Sequence, residues 1–141
     1  MTGGGRADIH FHLLPGVDDG PRSMEESVEL ARLAEAEGTR TIVATPHVRP
    51  DQVNDVSDLP ERTRAVRERL AREGIHVAVE VGAELGHMMV ARMLAEELET
   101  VALGPPGRRW LLDGLVVAQY GFLPCVVKNL RRSVRRPTMA P

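Results

Sequence analysis

Two histidines stand two residues apart near the start of the chain, in the segment Asp8-Ile9-His10-Phe11-His12. This segment is typical of a short strand, and alternate residues of a strand face the same side. The imidazoles of His10 and His12 can therefore bind one metal ion together. Two acids, Asp18 and Asp19, follow a Pro-Gly turn and precede Gly20-Pro21. Imidazole and carboxylate ligands with open coordination positions suit Zn, Mn or Fe in hydrolytic sites.

The elements that must position these residues alternate along the chain. After the first strand, the sequence predicts strands at 41–45, 75–81 and 110–112, and helices at 23–38, 57–74 and 87–98. Ser23 and Glu26 form the pattern of a capping box, and Gly38 and Gly74 are typical helix stops. Strands that alternate with helices predict an α/β fold with a parallel sheet built from right-handed βαβ units. The candidate ligands then lie at the carboxyl ends of the strands, where a βα barrel keeps its active site.

Three segments, in this order, resemble the motifs of a known family: Asp8 to Gly20, Ala44-Thr45-Pro46-His47 and Gly82-Ala83-Glu84. They are similar to the PHP (polymerase and histidinol phosphatase) superfamily, and within it to the bacterial metal-dependent tyrosine-protein phosphatases of capsule and exopolysaccharide synthesis. The resemblance spans about residues 7–113. It implies a partial phosphatase domain over residues 1–113, as the N-terminal part of a distorted, TIM-like βα barrel, and an unmatched basic tail over 114–141. Four strands are about half of such a barrel.

The resemblance also implies a role for each candidate residue. His10 and His12 would share one metal ion, and Glu84 would bridge two ions. Asp19 and His47 would build a neighbouring site and act as the catalytic pair. Asp113 stands where the family has a glutamate, and would be a further ligand. Arg49 would pair with the substrate phosphate, because a guanidinium matches phosphate geometry.

The function implied is hydrolysis of phosphotyrosine in proteins, such as a bacterial tyrosine kinase of polysaccharide synthesis, by a metal-activated water. Manganese is the expected metal, with zinc or iron as alternatives, and a complete domain would hold two or three ions. Two other functions stay open. The alternatives are an inactive, truncated fragment of the family and another phosphoesterase of the superfamily, such as a histidinol phosphatase.

A rival mechanism is visible near the end of the chain. Cys125 and Arg131 have the Cys-x5-Arg spacing of cysteine-based tyrosine phosphatases, in which a thiolate attacks phosphate held by backbone N–H groups. That phosphate loop needs glycine and small residues, whereas the intervening sequence is Val-Val-Lys-Asn-Leu. The sequence therefore favours the metal mechanism.

Composition narrows the class of protein. The chain has 141 residues, of which 43% are hydrophobic and only 3% aromatic, so we expect one globular domain with an aliphatic core. No apolar run is long enough for membrane insertion, and a single cysteine fits the cytoplasm.

The tail differs from the rest of the chain, because residues 114–141 contain no acid and five bases. They lack the aromatic interleaving of a nucleic-acid binder, so we expect no nucleic acid partner. Pattern and charge change at one point, which favours an altered reading frame or a truncated gene over the alternative, a genuine short relative. A half barrel would leave the edge of its fourth strand open, and such an edge favours self-association.

Overall fold

The computed structural model describes residues 4–105, 108–114 and 126–129. In this part the elements follow in the order β1 (Arg6–Phe11), α1 (Met24–Ala36), β2 (Thr39–Ala44), β3 (His47–Val48), α2 (Leu59–Arg72), β4 (Ala78–Val81), β5 (Glu84–Gly86), α3 (Ala95–Val101), β6 (Trp110–Gly114) and β7 (Val126–Asn129). Two sheets form, with the strand orders β1-β2-β4 and β3-β5-β6-β7. Every strand pair is parallel except β6 with β7. The mixed α/β fold with parallel strands is therefore confirmed, and no closed sheet occurs among the described residues.

The second and third predicted strands are each followed by a short strand that was not predicted, β3 and β5. Pro46 separates β2 from β3, since proline has no N–H to donate to a ladder. Gly82 and Ala83 separate β4 from β5, and a Cβ on Gly82 would lie 2.6 Å from Val43 Cγ1. The two breaks lie side by side, because the Glu84 N–H donates to the Pro46 carbonyl at 2.9 Å. The chain thus runs from one sheet into the other at the place where the motif residues occur.

Two helices cover the first sheet for reasons visible in their sequences. In α1 the buried residues recur at helical spacing, and so do those of α2; they are Ser27, Val28, Ala31 and Ala34, then Leu59, Thr63, Val66 and Leu70. Ser23 caps α1 by accepting the Glu26 N–H, as predicted. The Glu26 carboxylate accepts the N–H of Arg22 rather than that of Ser23, which differs from the predicted capping box.

Three predicted elements differ from the structure. The strand expected at 75–81 begins only at Ala78, because Ile75 donates its N–H to the end of α2 and His76 donates to Glu35 Oε1. The helix expected at 87–98 is wrong: residues 87–92 form turns, and α3 begins after Leu94, whose N–H is bound by the Glu97 carboxylate.

The third difference concerns the tail, for which we predicted no strand and an open edge on β6. Instead β7 pairs antiparallel with β6, from Trp110 opposite Asn129 to Asp113 opposite Val126. Pairing needs only an extended backbone with free N–H and C=O groups, which hydrophobic periodicity does not reveal. Among the described residues β1 and β4 are the edge strands of the first sheet, and β3 and β7 those of the second, so the prediction of self-association now concerns these edges and not that of β6. No helix in this part of the chain is long and apolar enough to cross a bilayer.

Candidate metal centre

Three histidines and one glutamate converge at the strand ends. Glu84 is the common point: its Oε2 lies 2.9 Å from His10 Nε2, 3.0 Å from His12 Nε2 and 3.2 Å from His47 Nδ1. His10 is the exposed, next-to-last residue of β1, and His12 follows directly after that strand. His47 and Glu84 lie opposite each other in the β3–β5 pair. The structure thus brings together residues from three widely separated segments of the sequence.

Asp19 completes a second group at the mouth of the site. Its Oδ1 lies 3.4 Å from His47 Nε2 and 3.7 Å from His12 Nδ1, and its side chain is 68% exposed. Two groups of potential ligand atoms therefore overlap: His10, His12 and Glu84 in one, and His12, Asp19 and His47 in the other. Asp19 and His47, which the sequence analysis placed in one neighbouring site, thus lie side by side. The presence of His12 in both groups was not predicted.

The spacing of the first group fits a metal ion. Nitrogen and oxygen ligands about 2.1 Å from one metal lie about 3.0–3.4 Å from each other in a tetrahedral or similar site. Here the Nε2 atoms of His10 and His12 are 3.3 Å apart, and each lies about as close to the Glu84 carboxylate. Two imidazole nitrogens that face each other and a carboxylate form a donor set suited to Zn, Mn or Fe.

Asp18 holds His12 and the backbone of His47 in place, and the sequence analysis did not assign it a role. Its side chain is 1% exposed, and its Oδ2 lies 2.9 Å from His12 Nδ1. The same oxygen accepts the backbone N–H of His47 at 2.9 Å, and Oδ1 accepts that of Gly20. A carboxylate on Nδ1 fixes the tautomer of a histidine so that Nε2 can bind metal. The sequence shows two adjacent acids, Asp18 and Asp19. Only their burial in the structure distinguishes Asp18, which positions His12, from the exposed Asp19.

The loop that carries both acids is held by its apolar and small residues. Leu13 and Leu14 are fully buried directly after His12, and Ser27 Oγ of α1 donates to the Leu13 carbonyl at 2.7 Å. Gly16 has φ +70°, a left-handed conformation that glycine adopts readily, and its N–H closes the loop on the Pro21 carbonyl. The loop is thereby fixed at both ends around Asp18.

The charges of the cluster stabilise one another. Hydrogen bonds to Asp18 and Glu84, opposed by burial, raise the pKa of His12 to about 9. Burial acts to raise the pKa of Glu84, but hydrogen bonds from His12 and His10 outweigh it and lower this pKa to about 2. The pKa of Asp18 is likewise lowered: burial opposes the shift, and the hydrogen bonds from His12 and from the His47 and Gly20 N–H groups produce it. A bound cation would take the place of the protons on the imidazoles, because metal ligands must be deprotonated.

Of the other predicted site residues, Arg49 lies next to the cluster, and the Asp113 side chain is outside the described part of the structure. Arg49 forms a two-point ion pair with Asp51, with Nε–Oδ1 at 3.0 Å and Nη2–Oδ2 at 2.6 Å. Hydrogen bonding to Asp51 is the main reason that the pKa of Arg49 is raised, and the nearby Asp19 and Glu84 contribute. The backbone of Asp113 pairs with Leu85, next to Glu84. Its side chain is outside the described part, as are Cys125 and Arg131, so their roles stay predictions.

Replacing Asp18 by asparagine tests its role as a positioning residue. An amide would place a donor against His12 Nδ1 or a backbone N–H, so one buried group loses its partner. We expect the free energy of unfolding to fall by about 1–3 kcal/mol. Metal affinity should fall by about 10–100-fold. Urea denaturation and a chelator competition assay measure the two effects. As a control, Asp55→Asn alters an exposed carboxylate outside the cluster; equal losses in both variants would contradict the assignment.

Comparisons with known proteins place the chain in a family. A family model described as "Capsular polysaccharide synthesis, CpsB/CapC" matches residues 6–105. The tyrosine-protein phosphatase YwqE of Bacillus subtilis is 39% identical over 79 residues, which are 55% of this chain and 31% of that protein. The tyrosine-protein phosphatase CpsB of Streptococcus pneumoniae is 34% identical over 97 residues, or 68% of this chain and 40% of that one.

A solved structure is also similar. It comes from a study of YwqE and CpsB titled as "unique metal-dependent tyrosine phosphatases", with a TM-score of 0.67 and 31% identity. The alignment covers 82% of this chain and 47% of the solved chain. The chain thus spans less than half the length of the relatives that it matches.

Proposed function

Because the chain belongs to the CpsB/CapC family of capsular polysaccharide synthesis, we propose that it binds metal ions at the His-Asp-Glu cluster and hydrolyses phosphotyrosine in proteins. The observation that carries this proposal is the convergence of three imidazole nitrogens on one oxygen of Glu84. The relatives named as tyrosine-protein phosphatases support the choice of substrate. A bacterial tyrosine kinase of polysaccharide synthesis is the proposed protein substrate.

Each residue has a proposed part in this reaction. His10, His12 and Glu84 would hold one ion, and His47 and Asp19 a second, with Asp113 as a further ligand. Manganese is the proposed metal, with zinc or iron as alternatives. When bound, such ions polarise phosphoryl oxygens and lower the pKa of a bound water towards neutrality. Asp19, at the exposed mouth of the site, would contact the incoming phosphoryl group together with His47, and Asp18 would keep His12 oriented.

The proposed fold context is a half of a larger βα barrel. Its support is the parallel pairing within β1-β2-β4 and within β3-β5-β6, with His12, His47 and Glu84 where the chain leaves β1, β2 and β4. The short coverage of the relatives favours a second candidate function, a metal-binding chain without turnover. The two candidates differ in a single measurement, the hydrolysis of a phosphotyrosine peptide by the metal-loaded chain.

We expect phosphatase activity that a chelator abolishes and Mn²⁺ restores. His10→Ala should lower the rate by about 100-fold or more, because the variant loses a ligand of the first group. Cys125→Ser is the matched control and should keep the rate of the parent chain, since the metal mechanism uses no thiolate. Phosphate release from a phosphotyrosine peptide measures the effect. A chelator-resistant activity that is lost in Cys125→Ser would instead establish the cysteine mechanism.

A further inference from the structure

A pocket of about 210 Å³ lies next to the metal cluster and has no part in the ligand set. It is lined by residues that follow β3 and β5 in the chain: Arg49, Pro50, Asp51, Gly86, His87, Met88 and Met89. The pocket is less polar than the ligand cluster, since four of its seven lining residues are apolar or lack a side chain.

The pocket is fixed to the cluster by strand pairing. His47 lies opposite Glu84 in the β3–β5 pair, and Arg49 and Gly86 stand two residues further along the same two segments. Residues i and i+2 of extended chain face the same side, about 6.6 Å apart. A Cβ added to Gly86 would lie 3.1 Å from Arg49 Cγ, so the Arg49 side chain crosses directly over this glycine. The pocket therefore opens within one strand repeat of Glu84, a separation comparable to the length of a phosphorylated phenol.

The lining suits an aromatic ring. Gly86 forms the floor, on which the Arg49 and Met89 side chains lie closely, 3.1 and 3.6 Å from the position of an added Cβ, and its partner in β6 is also a glycine, Gly114. The turn after β5, closed by the Met89 N–H on the Gly86 carbonyl, places Met89 against the floor and leaves Met88 61% exposed at the rim. Thioethers contact aromatic rings favourably. Asp51 binds the Nε and Nη2 edge of Arg49, which holds the guanidinium in one orientation for stacking through its face.

We propose that this pocket binds the aromatic ring of the substrate, and that Gly86 and Met88 determine selectivity for aryl over alkyl phosphomonoesters. The proposal rests on the proposed function in one respect, namely that the cluster binds the phosphoryl group. With that group at the cluster, the ring of a phosphotyrosine lies in the pocket, against the Arg49 guanidinium and the exposed Met88 thioether. A phosphoserine places no atoms there.

The test is a binding experiment that needs no turnover. The full chain is labelled with ¹³C at the methionine methyl groups, loaded with diamagnetic Zn²⁺, and titrated with O-phosphotyrosine, O-phosphoserine or inorganic phosphate. We expect phosphotyrosine alone to shift the methyl signals of Met88 and Met89 through the ring current. It should also bind about tenfold more tightly than phosphoserine, as the burial of one aromatic face predicts.

Two variants remove the selectivity by different routes. Gly86→Val displaces the Arg49 and Met89 side chains into the pocket, and Met88→Ala removes one wall; in each, phosphotyrosine and phosphoserine should bind equally. Leu33→Ala, which truncates a similarly exposed residue of α1, is the control and should keep the tenfold preference. Equal binding of phosphotyrosine and phosphoserine by the parent chain, without shifts at Met88 and Met89, overturns the ring pocket and leaves the phosphoester site standing. Binding of none of the three probes overturns both proposals.

Discussion

Glu84→Gln is expected to lower the metal affinity of the chain about 100-fold or more and to affect both ligand groups. Three imidazole nitrogens lie within 3.2 Å of one oxygen of this carboxylate. The amide keeps the size of the side chain but loses its charge, and a neutral oxygen is a weak ligand for a divalent ion. The imidazoles would also lose the anion that orients them. Equilibrium metal content, measured by competition with a chromophoric chelator, shows the effect.

Two comparisons make this result specific. Glu80→Gln is the matched control, because Glu80 lies on the adjoining strand, is 62% exposed and pairs with Arg67; we expect no change in metal content. His10→Ala and Asp19→Ala should each affect one group only, whereas His12→Ala should affect both. If Glu84→Gln binds as much metal as Glu80→Gln, the cluster is a hydrogen-bonded network of acids and histidines and not a metal centre.

That His10, His12, His47 and Glu84 lie together could be predicted from the sequence because their spacing is local or follows strand ends. His10 and His12 belong to one strand end, and His47 and Glu84 each follow the break after a buried strand, so parallel pairing brings them together. Asp18 could not be separated from Asp19 in this way. The two acids are adjacent in the sequence, and their difference arises from a loop that buries one side chain to 1% exposure and leaves the other at 68%.

The fold could be predicted where hydrophobic periodicity was strong, and was mispredicted where backbone hydrogen bonds decided the outcome. Both α1 and α2 follow their apolar patterns and end before glycines with positive φ. The segment after β5 has the same apolar richness as a helix. Nevertheless, the Met89 N–H donates to the Gly86 carbonyl and begins a turn. The helix begins only after Leu94, whose N–H donates to the Glu97 carboxylate. β7 forms because its backbone pairs with β6, and such pairing cannot be predicted from the pattern of side chains.

Leu85→Ala is expected to destabilise the chain by about 2–5 kcal/mol, a large part of the stability of an ordinary domain. Leu85 is fully buried on β5, between β3 and β6, and directly follows Glu84. Its loss leaves a cavity beneath the strand that carries the central ligand. Leu33→Ala, the same change at a side chain that is 54% exposed, should change stability by only about 0.5 kcal/mol. Urea denaturation of the metal-free chains gives both values.

Added metal then separates packing from ligation in this strand. An ion that binds only the folded state stabilises it by mass action, by about 2.7 kcal/mol at a hundredfold excess over its dissociation constant. We expect Zn²⁺ to raise the urea midpoint of the parent chain and of Leu85→Ala, since both keep Glu84, and to leave that of Glu84→Gln unchanged. A Leu85→Ala chain as stable as Leu33→Ala would show that β5 is not part of the core. A midpoint of Glu84→Gln that rises with Zn²⁺ as in the parent would place the stabilising ion elsewhere, because the carboxylate on which His10, His12 and His47 converge would then not be needed to hold it.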